Sequence, residues 1–113
     1  MQPTTFFDRE TMLERLGGDA ELLSEIVALF VEECPNMIGS VRDSIAEQDA
    51  DQVERAAHTL KGALLNIAAD PVAETAKRLE ILGRSGELAD TAEVLASLEA
   101  ELDHLVQELS GLD

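Results

Sequence analysis

From Leu23 to Ile45 the apolar residues Leu23, Val27, Phe30, Cys34, Met37, Val41 and Ile45 recur at spacings of 4, 3, 4, 3, 4 and 4. Near the other end Leu95, Leu98, Leu102, Leu105 and Leu109 recur at 3, 4, 3 and 4. That period belongs to one face of an α-helix. No stretch alternates with period two, so no strand is predicted. The chain must therefore bury helix faces against one another.

The punctuation between the periodic stretches is helical as well. Phe7, Asp8 and Met12 read as a staple and N-cap for a short first helix, which Gly17-Gly18 ends. Asp19 caps a second helix predicted from about residue 19 to 47. Pro35 lies inside it and removes the hydrogen bond to the Val31 carbonyl, so a kink is expected, with a true break as the alternative. Asp49-Ala-Asp-Gln52 resembles a capping box and opens a third helix to about Ala69. Asp70-Pro71 reads as an N-cap followed by Pro at the first position of a fourth helix, which ends near Arg84 and Gly86. Asp90-Thr-Ala-Glu93 is another capping-box pattern, opening the last helix. The expected fold is all-α: an antiparallel up-down four-helix bundle with the short N-terminal helix as a lid. At 113 residues, with no linker or repeat, residues 1–113 are expected to form one domain.

Charge removes several functions. Twenty-four Asp and Glu face eight Lys and Arg, a net −16. Nucleic acid requires a cationic footprint, and anionic membranes do too, so neither is expected as a partner. With no Trp or Tyr, base-stacking platforms are absent. One Cys and two His are too few for a Cys/His zinc site, so no metal is expected. No apolar run approaches 18 residues and no signal peptide opens the chain, which implies a cytoplasmic protein.

The third helix narrows the question. With Leu60 at the centre of its buried face, Val53, Ala56, Leu64 and Ile67 fall within about 40°. His58 falls about 160° away and faces solvent. Lys61 and Gly62, three and four residues on, neighbour it on the helix surface. A Gly inside a helix costs about 1 kcal/mol relative to Ala. Gly62, about 200° from the buried centre, is expected to clear volume beside His58, with close packing against a neighbouring helix the alternative that its angle disfavours. A neutral imidazole is a nucleophile near pH 7. Once it is phosphorylated, Lys61 can reach the dianion, and Arg55, three residues before His58 and off to one side, supplies a second cation. Leu65 lies on the same face, apolar where a polar residue is expected, and is a candidate for partner contact. His104 has no Lys-Gly companion and reads as structural or solvated. Cys34 falls on the core phase of its helix and reads as a buried, inert thiol.

AAHTLKGA, residues 56–63, resembles the phosphoacceptor motif of histidine-containing phosphotransfer (HPt) domains, A-H-x-L-K-G-S. Residues 13–35, LERLGGDAELLSEIVALFVEECP, are similar to the N-terminal helices of that family, and RLEILGRSGEL, residues 78–88, to the end of its fourth helix. The resemblance implies a four-helix bundle that carries a phosphoryl group between receiver-domain aspartates in a multistep phosphorelay, with no kinase activity of its own. His58 matches the phosphoacceptor, Lys61 the lysine beside it, and Gly62 the small residue that admits the receiver. It implies no cofactor in this chain, with Mg²⁺ and most catalytic groups supplied by the partner receiver. The implied partners are response-regulator receiver domains, a hybrid histidine kinase or both; the short chain is expected to be a monomeric, free-standing carrier. Two positions depart from the pattern. Ala63 replaces the usual Ser, and Ala68 the usual Gly, the latter expected to matter only to packing. The rival readings are a phosphoacceptor module of a sensor or chemotaxis-type histidine kinase, and a helical adaptor that never carries phosphate. The sensor-kinase pattern, with Glu directly after the His and Pro soon after, is absent, since Thr59 follows His58 and the next Pro is Pro71.

Overall fold

The computed structural model describes residues 6–111. Five helices occupy them: α1 (Arg9–Arg15), α2 (Ala20–Ala46), α3 (Ala50–Asn66), α4 (Asp70–Ser85) and α5 (Thr91–Ser110). There is no strand among the described residues. α2 packs on α3, α3 on α4, α4 on α5, and α5 back on α2, which closes a ring. α1 lies against α2.

The helix starts follow from local chemistry. The Asp8 carboxylate accepts from the Thr11 amide, Asp19 from Leu22, and Asp49 from Gln52, so three orphan donors are satisfied. Phe7 and Met12, on either side of the α1 cap, are both buried, as a hydrophobic staple requires. Gly17 and Gly18 both take positive φ and turn the chain from α1 into α2.

α2 runs as one helix through Pro35, so the chain does not break there. The predicted core stripe is reproduced: Leu23, Val27, Phe30, Cys34 and Val41 are buried, with Met37 and Ile45 half-buried against them. In α5 Leu98, Leu102, Leu105 and Leu109 are buried, but Val94 takes the place expected of Leu95, which is half-buried. Cys34 is buried, and burial, with Asp103 adding to it, pushes its thiol pKa up.

Five local expectations are corrected. The buried face of α3 is centred between Leu60 and Ala57, because Ala57 is fully buried while Ala56 is only half so. α3 ends at Asn66 and not near Ala69: Ile67 is its C-cap and Ala68 takes φ +59°. The departure from Gly at 68 therefore bears on backbone conformation as well as packing, since a left-handed L-residue is disfavoured by about 1–2 kcal/mol. Asp70 is the first residue of α4, and Ala69 is the cap, with no side-chain bond. Asp90 is the cap of α5 as expected, but its carboxylate does not bond the helix start.

Candidate functional site

The corrected rotation of α3 decides what each of its polar residues meets. Shifting the buried centre toward Ala57 turns Lys61 inward, onto the flank facing α4. Its side chain is 22% exposed, and that of His58 is 65% exposed. His58 is the ninth of the seventeen residues of α3, with eight on either side.

The residue that joins these two comes from α4. Glu80 is buried, at 4% exposure, and each carboxylate oxygen is taken. Oε1 accepts from Lys61 Nζ at 2.6 Å, and Oε2 lies 2.7 Å from His58 Nδ1. Arg84, one turn further along α4, stands 3.4 Å from Oε2 and donates from Nε to Glu54 of α3 at 2.9 Å. The Lys61 ammonium first, and then the His58 ring, hold the Glu80 carboxyl below the usual carboxylate range, against the opposing effect of burial. The Glu54 carboxylate raises the Arg84 guanidinium further.

An ionised carboxylate can only accept hydrogen bonds. The short contact to Glu80 therefore assigns the proton to His58 Nδ1. In the neutral ring the lone pair is then on Nε2, which has no partner among the described residues. The site presents a nucleophilic nitrogen with its tautomer fixed from behind. Glu54, Arg55, His58, Thr59, Glu80 and Arg84 line an open groove at this place. A wider hollow between α2 and α5, lined by Val31, Cys34, Ile38 and Val106 among others, does not include His58.

The other sequence candidates are distributed as follows. A Cβ placed on Gly62 would meet nothing within 4 Å, so no helix packs on it. Leu65 is exposed at 43%. Its carbonyl accepts from Arg15 of α1 at 3.0 Å, which ties the lid to the end of α3. Arg55 lines the groove and makes no ion pair among the described residues. Lys61 lies on the same side of α3 as His58 and spends one of its three ammonium donors on Glu80. His104 stacks edge-on to Phe6, centroids 5.0 Å apart, with Glu108 3.7 Å from Nε2. It belongs to a structural contact.

Glu80 was not singled out from the sequence. Its signal was present: Val72, Ala76, Glu80 and Gly83 share one phase of α4, so a carboxylate stands where an apolar residue is expected. Gly83 was also missed. A Cβ there would lie 2.5 Å from the Glu54 amide nitrogen and 2.9 Å from both Glu54 Cα and the Ala50 carbonyl oxygen. The backbones of α3 and α4 touch at this glycine.

A closed ring of four helices with an exposed, carboxylate-backed histidine on one face defines a class, and the sequence comparison agrees with it. The profile of the Hpt domain matches residues 25–109, and the chain belongs to that family. It is thus a histidine-containing phosphotransfer protein of the phosphorelay type. Among solved structures it is similar to histidine-containing phosphotransfer protein B (HptB) from Pseudomonas aeruginosa PAO1. The identity is 20%, the TM-score 0.87, and the match covers 96% of this chain and 94% of that one. At that identity the likeness speaks for the fold. No curated protein matches the chain. Among the described residues no helix is long and apolar enough to cross a membrane.

Proposed function

We propose that His58 Nε2 is the atom that carries the phosphoryl group, between the aspartates of receiver domains. The observation that carries this is the 2.7 Å contact between His58 Nδ1 and ionised Glu80, which leaves Nε2 as the free nucleophile on an exposed ring. The Nε2 lone pair forms the N–P bond while the P–O bond to the aspartyl carboxylate breaks, and that carboxylate departs with the electron pair. The product ring is an imidazolium whose Nδ1 proton still faces Glu80. A cationic ring is a good leaving group, so the same geometry serves the return transfer.

Lys61 turns a remaining donor of its ammonium toward the new dianion, and Arg55, which lines the groove, is the second cation. Gly62 and Leu65 lie where the receiver must approach. Mg²⁺ belongs to that receiver, and this chain acts as a carrier without kinase activity. The reading extends to one domain over residues 1–113, monomeric and cytoplasmic, with α2 to α5 antiparallel. Ion pairs support that direction: Arg84 near the end of α4 meets Glu54 near the start of α3, and Arg42 late in α2 meets Glu99 early in α5.

The test is incubation with a phosphorylated receiver. One acid-labile, base-stable phosphate is expected on the chain, and His58→Gln removes it with helical circular dichroism retained. Loss of the label in His104→Gln but not in His58→Gln would overturn the assignment.

A further inference from the structure

We propose that Gly83 is a positioning residue for the phosphoacceptor: its missing side chain lets α4 approach α3 closely enough for Glu80 to reach His58 Nδ1. The inference rests on the reading of His58 as the phosphoacceptor. It starts from three contacts on a single turn of α4. Glu80 holds His58 and Lys61, Gly83 lies on the α3 backbone, and Arg84 pairs with Glu54. All the partners lie on α3 between Ala50 and Lys61.

The atoms that a methyl group at 83 would meet are backbone: the Glu54 amide nitrogen and Cα and the Ala50 carbonyl. No rotamer change can move them aside. Relief of the 2.5 Å approach to the ordinary 3.4 Å requires the helices to separate by about 0.9 Å at that point. Glu80 is three residues away on the same rigid helix. Passed on in full, the separation stretches the 2.7 Å contact to His58 to about 3.6 Å, beyond a hydrogen bond. Arg84 and Lys61 are long and flexible and follow the carboxylates across such a gap. The imidazole is short, rooted near the seam, and does not. Gly83 therefore acts selectively on the tautomer of His58, and a misplacement of about 1 Å in a reacting group can slow a reaction on the order of 100-fold.

The experiment compares the full chain with Gly83→Ala and, as a control, Leu98→Ala, which opens a cavity on α5 away from this seam. Two quantities are read: the His58 tautomer from long-range ¹H–¹⁵N spectra at neutral pH, and the rate of phosphate transfer from a phosphorylated receiver. Gly83→Ala is expected to lose the Nδ1–H preference and to slow transfer by at least about tenfold. Leu98→Ala keeps the tautomer. An unchanged tautomer and rate in Gly83→Ala, with His58 of the parent chain labelled, overturns the positioning role and leaves the phosphoacceptor reading standing. A parent chain that takes no label on His58 overturns that reading, while the spectra still report on the seam. Should Gly83→Ala fail to fold in buffer, the same measurements are made in trimethylamine N-oxide. A chain that stays unfolded there assigns Gly83 to the bundle as a whole and equally overturns the specific role.

Discussion

Replacing Glu80 by Gln tests the centre of the site with almost no change in shape. The amide can still accept one hydrogen bond, but the charge that binds Lys61 and His58 is gone. A hydrogen bond to a charged group contributes about 1.5–3 kcal/mol and a neutral one about 0.5–1.5, so each bond loses roughly 1 kcal/mol or slightly more. The Lys61 bond counts nearly in full, because its partners are 22% and 6% exposed. The His58 bond counts for a fraction, because solvent screens a ring that is 65% exposed. Arg84, at 3.4 Å and 63% exposed, adds little. The expected loss at pH 7 is about 1–2 kcal/mol. Unfolding entropy of about 2.1 cal/mol/K per residue gives about 0.24 kcal/mol/K for this chain, hence a drop in Tm of about 4–8 °C.

The pH dependence gives the sharper test. The Glu80 pKa is lowered in the folded chain, so its contribution is full above the ordinary carboxylate value of 4.5. It disappears as pH falls through the lower folded value. Calorimetric scans of the two chains should therefore differ at pH 7 and converge at strongly acid pH. A gap in Tm that stays constant down to acid pH would refute the assignment of Glu80 as an ionised, charge-coupled partner. Phosphotransfer by Glu80→Gln should be slower at pH 7, as the tautomer is no longer fixed.

Gly62→Ala should separate stability from function. With open space around the new methyl group and Gly removed from a helix interior, the chain gains about 1 kcal/mol in a urea titration, while transfer from a receiver slows. Gln48 is exposed and holds φ +54°, so Gln48→Gly relieves about 1–2 kcal/mol of strain against a greater loss of backbone entropy of about 0.5–1. A rise of about 2–4 °C in Tm is expected, and a fall would show that the left-handed turn between α2 and α3 is not strained.

The helices were legible because their apolar stripes and caps are local. Asp8, Asp19 and Asp49 bond the amides that their positions foretell. Errors fell where a single residue of phase mattered. With Leu60 as the sole centre of α3, Ala56 falls inside and Lys61 faces outward; a modest rotation buries Ala57 and brings Lys61 to the α4 flank. His58, Gly62 and Leu65 lay far enough from the core to survive that error. Glu80 and Gly83 did not emerge because their meaning depends on neighbours 19 or more residues away in sequence. A buried carboxylate looks like a misplaced charge until the lysine and histidine opposite it are in view.

On the proposed reading of His58 as the phosphoacceptor, its place at the midpoint of α3 sets what surrounds the phosphoryl group. With eight residues on each side and a rise of about 1.5 Å per residue, both helix ends are about 12 Å distant. The partial charges of the helix ends act only within the first and last turns. Many sites that bind phosphate without a covalent bond use a helix N-terminus, where backbone amides point at it. A phosphoryl group on His58 receives none of that. The N–P bond holds it, and the charge on it is met only by flexible cations, each of which an arriving partner can draw away. On that reading the middle of a helix leaves the charge of the load open to the partner that takes it over.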